Sequence, residues 1–385
     1  PISEDYFGYN GSSVLDEGQY WSDLSSNAVL LHNGISSIRH NGGTNGNYWD
    51  WRTGWFIPEN ELPNDWFYLK RSHKKPFPDL LPNGTFVNEM QYFKISNDAV
   101  AGRPIFQFNN LTSGFNYELA SLYRAHELNL PVKYVELGNE FYFNDEHYKE
   151  VFPSSYDYIN YANAFTDALK SKVPFADVQV AVVGSSFSEN SAGRRSLWLE
   201  TILSNIHNVT HRPDAITIHE YYTSGLSNPI DFGPYNIGQM FIKPFIKGDD
   251  LIANELQAVE DRSSALGLNP PLEVWLTEYN MNDDVSNNVG TWAHGLFNAI
   301  QTLKYLESPL ITHLSSHAMT SDAVYGNIFE SNRGFQNLAE GQLPENVKLV
   351  GAGNFETTPY GFTASGAAQN EIALAMKGTG VEAHR

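Results

Sequence analysis

Short apolar runs alternate with helix-length stretches along this chain, and the alternation is completed eight times. The runs are Tyr6–Tyr9, Ser36–Arg39, Pro104–Phe108, Lys133–Glu140, Val178–Val183, Ala215–His219, Val274–Thr277 and Ile311–Ser316. Each is too short for a stable helix and rich in β-branched or aromatic residues, so each reads as a strand. The run at 178–183, VQVAVV, is apolar on nearly every position, as a strand covered on both faces must be. The intervening stretches Ser22–His32, Asn88–Val100, Asn116–Asn129, Ser155–Ser171, Leu197–Ile206, Leu251–Leu266, Thr291–Leu306 and Phe362–Met376 read as helices. Asn33-Gly34 and Gly267 supply left-handed stops after the first and the sixth. Strands separated by whole helices pair in parallel, and eight such units predict a closed (β/α)8 barrel.

A barrel of this kind accommodates all 385 residues as one domain. The expected domain is 1–377, with GTGVEAHR at 378–385 reading as an appended tail. Three connections are long: the one from strand two to strand three, and those at Tyr221–Asp250 and His317–Thr358. All three follow the C-terminal ends of strands, where barrel enzymes build their substrate sites. No cysteine is present, which excludes a thiol nucleophile and thiolate metal sites. His32, His211 and His313 have no metal-site spacing, so neither metal nor cofactor is expected. A net charge of −20 opposes nucleic-acid phosphates. The first residues, PISEDYFGYN, carry no apolar leader, and no run is long enough to span a bilayer. The expectation is a soluble, secreted or periplasmic protein whose export signal has been removed.

Two strands end in the same way. KYVELGNE closes on Gly138-Asn139-Glu140, and EVWLTEYN carries Glu278 at its C-terminal edge. If both belong to one parallel barrel, the two carboxylates face one cleft. Carboxyl groups about 5–5.5 Å apart are what a retaining glycosidase needs, one as nucleophile and the other as acid and then base. Glu140 is the candidate acid/base, its pKa expected to be raised by a neighbouring carboxylate, and Glu278 the candidate nucleophile. Asn139 is placed to bond the hydroxyl beside the reacting carbon. Taken singly, either Glu reads as an ordinary strand-end residue; the matched pair favours chemistry.

The Gly-Asn-Glu at the end of strand four, with the second Glu at the end of strand seven, resembles the large clan of retaining (β/α)8 glycoside hydrolases. Arg39, Gly42-Gly43 and the stretch Tyr48-Trp49-Asp50-Trp51-Arg52 followed by Gly54 resemble a pattern of α-L-arabinofuranosidases. HEYYT within Ile218–Thr223, TEYN at Thr277–Asn280 and TTPYGF at Thr357–Phe362 add to it. Heparanase-like β-glucuronidases of the same clan are similar to a lesser degree. Those families usually carry an added β-sandwich, whereas this sequence stops after the eighth helix. The resemblance implies that Arg39 sits under Glu278 and holds it ionised; an ion pair with Glu136 is the alternative. Tyr221 or Tyr222, Tyr221 preferred, is placed to hydrogen-bond the nucleophile, and His317 is a further candidate sugar contact. His219 reads as a structural barrel histidine, and Glu220 as the rival carboxylate.

Trp49, Trp51 and Trp55, with Trp66, Phe67 and Tyr68, crowd the long second connection and suggest flat platforms for sugar faces. In the same connection Lys70-Arg71-Ser72-His73-Lys74-Lys75 is a basic knot in an acidic chain. It is either a solvated turn or a seat for uronate or sulfate groups. The function expected is hydrolysis of a plant or algal polysaccharide or its oligosaccharides, arabinofuranosidase-like and by double displacement. The alternatives are endo-acting hydrolysis of an anionic polysaccharide, glucuronidase- or agarase-like, and a carbohydrate-binding barrel without catalysis.

Overall fold

A computed structural model of the chain describes residues 2–11, 30–31, 34–57, 89–186, 193–206, 210–223, 234–281, 292–319, 326–328 and 362–376. The strands are β1 (Phe7–Asn10), β2 (Ser37–His40), β3 (Trp49–Asp50), β4 (Trp55–Phe56), β5 (Ile105–Gln107), β6 (Tyr134–Glu136), β7 (Gln179–Val183), β8 (Ala215–Tyr222), β9 (Glu273–Met281) and β10 (Ile311–His317). Eight of them form a closed parallel barrel in the order β1-β10-β9-β8-β7-β6-β5-β2, and β3 and β4 make a small antiparallel hairpin. The helices are α1 (Glu89–Val100), α2 (Phe115–Glu127), α3 (Glu146–Val151), α4 (Ser155–Lys170), α5 (Trp198–Asn205), α6 (Pro234–Leu251), α7 (Gln257–Ala265), α8 (Trp292–Tyr305) and α9 (Ala364–Met376). The (β/α)8 barrel expected from the alternation is therefore the observed fold. Among the described residues, no helix is long and apolar enough to cross a membrane.

By compactness the chain divides into two units. One holds Pro1–Gly11, Ala28–Ile38 and Ile218–Arg385; the other holds Ser12–Asn27 and Arg39–Thr217. The division cuts β2 after Ile38 and β8 after Thr217.

In the second unit α4 shows how sequence becomes packing. Ser154 and Asp157 form a reciprocal capping box that satisfies the first free N–H groups of the helix. The apolar residues Tyr158, Ile159, Ala162, Phe165 and Leu169 recur at helical spacing and are buried. Burial of each of the large aliphatic and aromatic side chains contributes about 1.5–3 kcal/mol. The buried Tyr158 hydroxyl donates to the Leu137 carbonyl and accepts from the Val183 amide, at 2.9 and 2.8 Å. Trp198, stacked on that ring, donates its indole N–H to the Val183 carbonyl at 2.8 Å. Two aromatic polar tips thus tie the helices to the ends of β6 and β7.

In the first unit, the outward side of β9 packs on α8 and α9. The Tyr279 hydroxyl lies 2.9 Å from both Thr302 Oγ1 and Gln369 Oε1, and burial pushes its pKa up. Here the structure corrects one expectation. The connection Tyr221–Asp250 is not simply a long loop, because residues 234–250 are helical and belong to α6. That helix continues through a π-turn at Ile252–Leu256 into α7. The expected helix from Leu251 is only the second half of this rod. Of the expected Ser22–His32 helix only residues 30–31 are described, and these are helical. The knot at Lys70–Lys75, Trp66–Tyr68, TTPYGF up to Gly361 and the tail at 378–385 lie outside the described residues.

Candidate active site

The tip after β6 is built by backbone demands. Gly138 has φ 102°, a conformation side chains disfavour, and a Cβ there would collide with the Phe141 ring. Glu140 has φ 51°, left-handed although it carries a side chain. Asn47, in a 3-10 turn after β2, clamps the residue between them. Its side-chain oxygen accepts from the Asn139 N–H at 3.0 Å and its amide donates to the Asn139 carbonyl at 2.9 Å. Asn139 is fully buried, and its side-chain oxygen accepts from Arg39 Nη2 at 2.8 Å. Arg39 also pairs through Nε with Glu136 at 2.5 Å, both side chains being 0% exposed. The ion pair with Glu136, one of the two roles the sequence left open for Arg39, is therefore formed. It holds the floor beneath the tip, since a buried pair broken on one side strands a charge. The half-buried Glu140 accepts at Oε1 from the Tyr142 hydroxyl at 2.8 Å, and the Asn139 amide lies 3.4 Å from Oε2.

The other carboxylate is aimed by a β-bulge. Along β9 and β10, Leu276 pairs with Leu314 and Tyr279 with Ser316, so Thr277 and Glu278 together stand opposite Ser315. An extra residue in one strand turns two consecutive side chains to one face. Both reach the same imidazole: Thr277 Oγ1 lies 3.0 Å from His219 Nε2, and Glu278 Oε2 lies 3.8 Å from His219 Nδ1. Tyr221 donates its hydroxyl to Glu278 Oε2 at 2.5 Å, and His317 Nδ1 stands 3.8 Å from the same oxygen. Glu278 itself is 5% exposed. Of the two tyrosines, Tyr221 is the one whose hydroxyl reaches Glu278, and strand alternation explains it. His219 and Tyr221 share one face of β8. Glu220 and Tyr222 share the other, where burial, then Tyr305 of α8 and Glu220, push the Tyr222 pKa up. Glu220 thus turns toward the helices.

The hairpin tryptophans divide. Trp49 is 4% exposed with Phe56 edge-on against it, which makes it a core residue rather than an open sugar platform. Trp51 is half-buried beside Tyr117, whose carbonyl accepts its indole N–H at 3.0 Å. Trp55 lies in β4, its side chain outside the described residues. Next to Trp51, Asp50 is bound by Arg52 and Tyr117. Burial opposes its charge, but the hydrogen bonds prevail and hold its carboxyl below the usual range. Sequence reading missed Asn47 and Asn10; Asn10 Nδ2 lies 2.7 Å from His317 Nδ1. A run as rich in Gly and Asn as HNGGTNGN was the only signal for the former.

No protein-family model matches the chain, and no curated protein matches it. Solved structures share its fold. An α-L-arabinofuranosidase from Thermotoga maritima, solved with arabinose, is similar at a TM-score of 0.58 and 16% identity, over 85% of this chain and 66% of that one. A family 51 α-L-arabinofuranosidase from Bifidobacterium longum gives 0.67 at 14% identity, over 97% and 73%. A 4-O-α-L-rhamnosyl-β-D-glucuronidase from Fusarium oxysporum 12S, in complex with Rha-GlcA, gives 0.56 at 14%, over 98% and 70%. The chain spans just under two thirds of the length of the Thermotoga enzyme. At such identities the likeness is one of fold: a (β/α)8 barrel of the kind found in these glycosidases.

Proposed function

We propose that the chain is a retaining glycoside hydrolase in which Glu278 is the nucleophile and Glu140 the acid/base. The observation that carries the reading is the setting of Glu278. A buried carboxylate is turned inward by a bulge, bonded by a tyrosine hydroxyl at 2.5 Å and flanked by two imidazoles at 3.8 Å. Such aim serves chemistry better than packing. Glu140 stands just past the end of β6 and Glu278 toward the end of β9, each on the C-terminal side of its own strand, where barrel enzymes place catalytic groups. In the first step Glu140 gives its proton to the leaving oxygen while a Glu278 oxygen bonds the anomeric carbon and the glycosidic C–O bond breaks. In the second, Glu140 takes a proton from water, whose oxygen bonds the anomeric carbon and releases Glu278. The similar folds make a pentofuranoside, as in the arabinofuranosidases, or a uronate the sugars to try first.

Kinetics on a panel of aryl arabinofuranosides, xylosides and glucuronides tests this. Glu278→Ala removes turnover of every substrate. Glu140→Ala costs about 10²–10⁴-fold on a natural glycan and far less on an aryl glycoside with an activated leaving group. NMR of the first-formed product shows retained anomeric configuration. An inverted product, or full activity of either variant on the natural glycan, sinks the assignment.

A further inference from the structure

The register of β1 on β10 places Asn10 directly opposite His317. Asn10 is buried, and its amide nitrogen stands 2.7 Å from Nδ1 of the His317 ring. An amide NH2 can only donate, so with Nδ2 toward the ring Nδ1 is the bare, accepting nitrogen and the ring proton sits on Nε2. The residue is held at other points too. Tyr221 meets it edge-on at 5.9 Å, and the His317 carbonyl accepts from the Asn280 side-chain amide. Asn280 is itself fixed through its side-chain oxygen by His294 and Asn298 of α8, at 2.6 and 2.8 Å. His317 is nevertheless 36% exposed at its side chain, whereas its neighbour Glu278 is buried.

We propose that Asn10 is a positioning residue that locks His317 in its Nε2–H tautomer. The lock has two consequences beside Glu278. It withholds an Nδ1 proton from the carboxylate 3.8 Å away, leaving the negative charge on the nucleophile to Tyr221, His219 and the substrate. It also presents Nε2–H as a hydrogen-bond donor to an acceptor oxygen, a hydroxyl or ring oxygen, of the sugar bound next to Glu278. The second consequence rests on the glycosidase reading; the tautomer itself does not.

Long-range ¹H–¹⁵N spectra of the whole protein with ¹⁵N-labelled histidine, assigned with His317→Gln, read the tautomer without any activity. The expected wild-type signal is Nε2–H, and Asn10→Asp, which offers only acceptors, should move the proton onto Nδ1. On aryl glycosides Asn10→Asp should raise KM about tenfold, in line with one lost hydrogen bond, with a smaller change in kcat. An Nδ1 proton on His317 in the wild type overturns the proposal, and that measurement needs no variant to fold. A tautomer that moves while KM does not overturns the substrate contact. If Glu278→Ala retains activity, the glycosidase reading fails while the tautomer result stands.

Discussion

Glu140 adopts φ 51°, where a side chain costs roughly 1–3 kcal/mol. The clamp by Asn47 and the rings around Gly138 and Phe141 hold it there. This strain has a sign that can be measured. Glu140→Ala and Glu140→Gly both lose the carboxylate and its bond from Tyr142, so they differ only in backbone freedom. At ordinary positions alanine is the more stable of such a pair. At a left-handed position the order reverses, and Glu140→Gly should unfold at higher urea than Glu140→Ala, by about 1 kcal/mol. The usual order would mean that the tip is not strained. The carboxylates and Tyr221 were legible in the sequence because a strand end and a period of two can be read locally. Asn47 and Asn10 were not, since their partners lie 92 and 307 residues away and only the closed sheet brings them together.

Elements show where local reading ends. Strand cores such as QVAVV in β7 announce themselves by composition. The bulge at Thr277–Glu278 does not, because it is a property of the pairing with β10 and not of β9 alone. The helix α6 was hidden by Gly238, Pro244 and Gly248, residues that ordinarily interrupt helices. The two-residue strands of the hairpin are too short to show a period. One element carries an unexpected acid. Glu118, in the first turn of α2, is buried, and burial pushes its carboxyl up to about 8 despite hydrogen bonds from Ser113 and the Asn109 backbone. At neutral pH the folded protein keeps this proton, whereas the unfolded chain gives it up above about 4.5. The folded state then binds the more protons, so its stability falls as pH rises between those two values, by about 1.4 kcal/mol per pH unit at most. Glu118→Gln keeps the shape and removes the titration. Its urea midpoint should be flatter than that of the parent from pH 5 to 8, and higher at pH 8. Parallel curves for the two proteins would show that Glu118 ionises normally.

On the scale of the whole molecule, a net charge of −20 should repel an anionic polymer, and binding one would need a local reversal of sign. The sequence supplies a single dense one, Lys70, Arg71, Lys74 and Lys75, in the connection that follows β2. Charges near the surface act over a screening length of about 8 Å at physiological salt. A basic seat of this kind strengthens binding without touching the reacting bond. Neutralising the four residues together should therefore raise KM on a uronate- or sulfate-bearing polysaccharide several-fold and leave kcat nearly unchanged. The same variant should treat a neutral aryl arabinofuranoside as the parent does. Added salt should weaken the parent's action on the acidic polymer and affect the variant less, because the screened interaction is already gone. If parent and variant agree on every charged substrate at every salt concentration, the knot is a solvated turn. Neutral arabinose- or xylose-type glycans are then the substrates to test next.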